Sequence, residues 1–222
     1  MFSRGRFLFS LLLALFGITD VRLAGATELE VHLHNDAGLA VATLDGCISQ
    51  LRAILVRAGA AIDIRVCRAE SPSSCQLGDD GARVVDLRIL PALRTYSRNV
   101  QHPALGYSVV SERGGVYATV FLEAVQHQAS AANVPWTVLL AYAAAHEIGH
   151  LLFGANAHTY RGVMKGSWDA QDMQAMFQNS FRFSREQEQK IVECCAGGRE
   201  SGRTQTFKTP GSARGRPGAA AN

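Results

Sequence analysis

The sequence predicts an α+β fold: a twisted mixed β-sheet packed against one long apolar helix, with short helices closing the C-terminal end. Three observations carry that prediction. Segments alternating apolar and polar residues, the pattern of half-buried strands, recur through the first half of the chain. An Ala- and Leu-rich run opened by Pro135 is too long and too continuous for a strand. Further on, short segments carry helix-capping residues.

Taken in order, segment 27–34 sets Leu29, Val31 and Leu33 against Glu28, Glu30 and His32, which predicts a strand with one buried face. Leu44, Cys47, Ile48, Leu51, Ile54, Leu55 and Ala58 follow helical spacing, and Gly59 stops that helix. Alternation returns in 61–67 and 83–90, and two shorter strands are expected at 106–110 and 116–122. Pro135 then initiates the long helix. Ser167 is expected to cap a short helix with Asp169 and Asp172 near its positive end, and Ser184 with Gln187 forms a capping-box pattern for the last one.

The two ends differ in composition from what lies between. Residues 1–26 read as an export signal: Arg4 and Arg6, an apolar run over 7–18 too short to span a bilayer, and the small residues Ala24, Gly25 and Ala26 as a cleavage site. Residues 196–222 are rich in Gly, Arg, Ser, Thr and Pro, cannot bury enough surface to offset ordering, and are expected to be a disordered tail. Of 22 basic and 19 acidic residues, the leader takes three and one and the tail five and one, leaving 14 and 17 in segment 27–195. The formal charge of +3 is therefore peripheral, which removes the main support for nucleic-acid binding. Segment 27–195 has the size of one domain, contains no membrane span and suggests a monomer, secreted or periplasmic.

Five cysteines in an exported chain imply disulfides with one thiol left over. Cys67 and Cys75 bracket a Ser/Pro loop and are the first choice of pair. Cys47 lies on the apolar helix face, as a buried thiol or a partner of Cys194 or Cys195.

The most informative stretch is His146-Glu147-Ile148-Gly149-His150, inside the long helix. Imidazoles four residues apart lie one above the other on a helix face, so both can reach a single ion. Glu147, rotated off that face, is free to act as general base toward a water that the ion polarises. Downstream, Gly154 sits where a left-handed cap would end the helix, and His158 follows a few residues later as a third ligand. Three protein ligands with an open fourth position are the arrangement of catalytic rather than structural zinc. Asp169, Asp172, Glu186 and Glu188 are the alternative third ligands. Gly162-Val163-Met164 follows closely as a tight turn, whose Met164 is otherwise read as a core filler.

This order, over roughly 136–168, resembles the metzincin metallopeptidases, whose pattern is HExxHxxGxxH followed by a Met-turn. The spacing departs from theirs by two residues: the family glycine falls at Phe153 and the third His at Asn156, whereas here they are Gly154 and His158. The string HEIGHLLFGANAH with GVM is also similar to a group of short, secreted bacterial proteins. The metzincin likeness implies a zincin fold in which the last strand before the active helix is an antiparallel edge that receives an extended substrate. It implies Zn2+ held by His146, His150 and His158, Glu147 as base, Met164 in the Met-turn, and hydrolysis of peptide bonds, within a chain more than at its end. The competing expectation is a noncatalytic zinc-binding or interaction protein on the same fold.

Tyr142, one turn before His146, and Tyr160, just past His158, are candidate donors to an oxyanion, against simple packing. Trp168 either walls a pocket beside the turn or packs in the core. His32, His34, His102 and His127 show no ligand spacing and are expected at the surface.

Overall fold

The computed structural model describes residues 29–68, 75, 83–92, 104–111 and 114–196. The segment expected to be an export signal, the loop 69–74, His102 and the residues beyond 196, expected to be a tail, lie outside the described residues. The elements run β1 (Leu29–Asn35), α1 (Val41–Arg57), β2 (Ile62–Cys67), β3 (Arg83–Leu90), β4 (Gly106–Ser111), β5 (Gly114–Phe121), α2 (Leu122–Ala131), α3 (Trp136–Phe153), α4 (Ala170–Phe177) and α5 (Arg185–Ala196).

The strands form one five-stranded mixed sheet in the order β2-β1-β3-β5-β4. β1 pairs parallel with β2 and β3, and β3 pairs parallel with β5. Among the described strands only β4 runs antiparallel, at the edge against β5. Leu29, Val31 and Leu33, with Val85, Leu87 and Ile89 beside them in register, present one apolar face. Onto it pack Leu44, Leu51 and Leu55 of α1 and the apolar length of α3. That single layered core accounts for both periods in the sequence, two along the strands and 3.6 along α1.

The opposite face of β1 departs from expectation. Glu30 and His32 are buried, at 2 and 4% exposure, joined by a 2.6 Å contact, with Arg65 reaching Glu30 at 3.2 Å. β1 lies in the interior of the sheet, flanked on both sides, so polar alternation there marks a paired buried cluster and not a solvated face. His34 is half-buried beside Asp86, while His127 is exposed as expected.

Three other expectations are corrected. Residues 122–131, not anticipated as a helix, form α2 directly after Phe121, with no Gly or Pro between strand and helix to announce the change. The strand preceding the helices, β5, is internal and parallel to β3, and the antiparallel edge belongs to β4. α4 is capped by Asp169 and not Ser167: Asp169 accepts from the amides of Gln171 and Asp172, while Asp172 accepts from the Asp169 amide. Ser184 and Gln187 do form the expected capping box ahead of α5, which runs one residue into the segment assigned to the tail. Cys67 and Cys75 are disulfide-bonded. Cys47 is a buried free thiol, and Cys194 and Cys195 are also free. Among the described residues no helix is long and apolar enough to cross a membrane.

Candidate metal centre

Helix α3 is the axis of the molecule, with its residues from Leu139 to Leu152 all buried. Ala and Leu favour the helix intrinsically, and Pro135 occupies its start, where a missing amide costs nothing. It ends at Gly154, whose φ of 99° and ψ of 172° lie in a region open essentially only to glycine. The backbone is thus extended there and not in the left-handed helical conformation expected of the cap. Gly154 donates its amide to the His150 carbonyl at 2.9 Å, and its own carbonyl faces His150 Nδ1 at 3.3 Å. One residue therefore stops the helix and orients a ring.

The chain returns through His158 into a compact turn. Thr159 donates to the Met164 carbonyl at 2.8 Å, Lys165 to that of Gly162 at 2.9 Å, and Val163 to that of Arg182 at 3.0 Å. Gly162 has a φ of 80° and lies so close to the Arg182 carbonyl that a Cβ would come within 2.4 Å of it. Met164 is fully buried under α3, and a Cβ on Gly149 would meet its Sδ at 2.4 Å. The Val163 carbonyl lies 2.7 Å from His146 Nδ1.

Three imidazoles converge from these elements. His150 Nε2 lies 3.1 Å from both His146 Nε2 and His158 Nε2. Because carbonyl oxygens only accept, Nδ1 of His146 and of His150 must carry the ring proton, and each Nε2 then offers a lone pair. His146 and His150 so arranged cannot hydrogen-bond to each other through Nε2, whereas a cation among the three rings satisfies both. Tetrahedral zinc with imidazole nitrogens at roughly 2.0–2.1 Å sets neighbouring nitrogens roughly 3.3 Å apart, close to the spacing here. Burial drives His146 down to about 4, with neighbouring His150 and His158 adding to the effect, and lowers His150 as well. The rings of His146 and His150 therefore favour the neutral, ligand-ready form.

The residues brought together are thus His146, His150 and His158. Asn156 is exposed on the loop, and the alternative carboxylates are engaged elsewhere or apart: Asp169 and Asp172 with Lys165, Glu186 with Lys190. The other grouping of ligand-type residues, His32 with Cys67 and Cys75, has its sulfurs in the disulfide.

Glu147 is 7% exposed, and burial raises its carboxyl to about 7, opposed by a hydrogen bond from Ser108. Ser108 Oγ lies 2.5 Å from Oε2 and 2.9 Å from the Glu147 carbonyl. Nothing local in the sequence links positions 108 and 147; only the position of β4 at the sheet edge beside α3 brings them together. The three histidines and Glu147 open onto a cleft of 690 Å³, bounded on one side by residues 104–108 and Val110 and on the other by 165–169. Trp168 walls it, its ring 5.4 Å from that of His146 and perpendicular to it. Neither tyrosine considered from the sequence lines the cleft: Tyr142 is buried and donates to the Phe181 carbonyl at 3.2 Å, and Tyr160 is fully exposed.

No protein-family model matches the sequence. A search of curated proteins finds no match. Among solved structures the fold is similar to metalloproteinase-II from Bacteroides fragilis, with 15% identity and a TM-score of 0.43 over 76% of this chain. The likeness covers 53% of that chain, so this protein spans about half its length.

Proposed function

We propose that the chain is a zinc-dependent peptidase, exported, that cuts within polypeptides. The observation that carries this reading is the convergence of three imidazole Nε2 atoms beside a buried glutamate in a cleft bounded by a sheet edge. His146, His150 and His158 would hold the ion. Zinc, when bound there, supplies Lewis acidity that polarises a carbonyl and acidifies a water. The carbonyls of Val163 and Gly154 keep Nδ1 of two ligands protonated and their Nε2 turned inward. Glu147 takes a proton from the attacking water on a carboxylate oxygen and delivers it to the departing amine nitrogen. Among the described residues β4 has a strand neighbour on one side only, and its other edge offers main-chain groups to an extended peptide; this supports an internal cleavage site. The turn at 162–165 serves as the Met-turn, with Met164 packed beneath the ligand helix.

The test compares wild type with Glu147→Gln at matched zinc content on a broad peptide library. Hydrolysis should fall by roughly 10²–10⁴-fold in the variant, and phenanthroline should abolish it in wild type. Equal turnover by the two proteins would sink the assignment of Glu147. A noncatalytic zinc-binding role is favoured by one observation, that neither Tyr142 nor Tyr160 presents its hydroxyl to the cleft. Stoichiometric zinc with no cleavage of any peptide would establish that role instead.

A further inference from the structure

Glutamate is a flexible base. Its terminal torsion is broad, and a carboxylate free to rotate in a cleft spends little time in any one reactive orientation. In this protein the Glu147 side chain is gripped by β4. Ser108 Oγ reaches Oε2 at 2.5 Å and the main-chain carbonyl of the same glutamate at 2.9 Å, so one hydroxyl bridges the carboxylate to the helix that carries His146 and His150. Two positions earlier, on the same side of the strand, Gly106 leaves the matching space: a Cβ there would stand 2.9 Å from Glu147 Cγ and 3.0 Å from Oε1. Oε1 itself accepts no hydrogen bond from the described residues, while Glu147 lines the cleft.

We propose that Ser108 is a positioning residue for the reaction assigned above: it anchors Glu147 through Oε2 and leaves Oε1, beside the bare backbone of Gly106, as the oxygen that exchanges the proton. The inference rests on the reading of Glu147 as general base. It makes β4 serve both sides of the chemistry, since the edge strand of the described sheet, which flanks the cleft, also sets the orientation of the base. A merely structural role, a tie between sheet edge and helix, would make Ser108 matter to folding and leave the proton transfer alone.

The experiment is a double-mutant cycle on the full zinc-loaded chain, with a fluorogenic peptide taken from the library digest. Because misplacing a reacting group by about 1 Å costs on the order of 10²-fold, Ser108→Ala should lower kcat by about 10–100-fold with KM within about 3-fold. Ser108→Thr, which keeps the hydroxyl, should restore most of it. In a Glu147→Gln background Ser108→Ala should cause no further loss, since Ser108 acts only through the carboxylate. A crystal structure of the zinc-free Ser108→Ala protein should show the Glu147 carboxylate rotated or split between conformers. Unchanged kcat in Ser108→Ala, an equal loss in the Glu147→Gln background, or an unmoved carboxylate overturns the proposal while the peptidase reading stands. Zinc-replete wild type that cleaves nothing overturns both.

Discussion

Replacing Gly149 by alanine sets two magnitudes against each other. Gly149 lies in the interior of α3, where alanine is favoured over glycine by about 0.8–1.0 kcal/mol, so propensity alone predicts a more stable protein. The added Cβ would sit 2.4 Å from Met164 Sδ, 3.1 Å from its Cε and 3.4 Å from the Phe153 ring. Met164 is fully buried, and its turn is pinned by the bonds from Thr159, Val163 and Lys165 and by the contact of Gly162 with the Arg182 carbonyl. Sδ and Cε are the end of a flexible side chain, but Met164 at 0% exposure has little space to turn into, so the upper part of the usual overpacking cost of about 1–3 kcal/mol applies. The net is a loss of about 1–2 kcal/mol, or roughly 2–6 °C in Tm for a domain of this size. The assay is urea unfolding of the metal-free protein, where the midpoint should fall at constant slope. Because the Val163 carbonyl holds His146, zinc retention should weaken alongside. Combining Gly149→Ala with Met164→Ala should lose less than the sum of the single losses, since the second substitution removes the clash. A Gly149→Ala protein as stable as wild type, or more so, would refute the claim that the turn presses on the ligand helix.

Two further outcomes are expected. His158→Ala should lower zinc retention by at least about 10-fold against competing chelator, whereas His34→Ala, at a half-buried histidine outside the cluster, should leave it unchanged; equal retention in both would move the third ligand elsewhere. In metal-free protein the pH dependence should expose two opposed groups. His146, held at about 4 against an ordinary 6.5, withholds a proton that the unfolded chain binds, so its contribution to stability is present above 6.5 and lost as pH falls toward 4. Glu147, raised to about 7 from 4.5, keeps a proton that the unfolded chain releases, so its contribution is present below 4.5 and lost as pH rises through 7. Between 4.5 and 6.5 these two offset each other in wild type, with His150, also lowered by burial, adding to the loss on acidification; Glu147→Gln should then lose at least about 2–3 kcal/mol across that window. Urea titrations in EDTA at several pH values measure the slopes, and a flat variant would contradict the opposition.

Much of this molecule was legible because its signals are local. Alternation located the strands, the spacing of His146 and His150 on one helical face needed only the 3.6-residue period, and the short loop between Cys67 and Cys75 made their pairing the natural choice. What escaped depends on the order of strands across the sheet. Whether Glu30 and His32 meet water is decided by the neighbours of β1, which lie far along the chain, and the same holds for the identity of the edge strand. Helix α2 carries only ten residues and follows β5 without punctuation, so neither period had length to declare itself. Ser108 had no signal at all. A lone serine in a short strand becomes informative only when folding sets it against a residue 39 positions away.

The carbonyls of Val163 and Gly154 have one last consequence. An imidazole that must be turned and given the right tautomer at the moment of capture loses orientational freedom then, and binds more weakly for it. Here that loss falls on folding, through two backbone contacts made whether or not an ion is near. Preorganisation of this kind predicts that apo and loaded proteins are nearly superimposable and that association proceeds without rearrangement. On the function proposed, the ion would also stabilise the native state by mass action, with a gain that grows as the logarithm of free zinc over its dissociation constant.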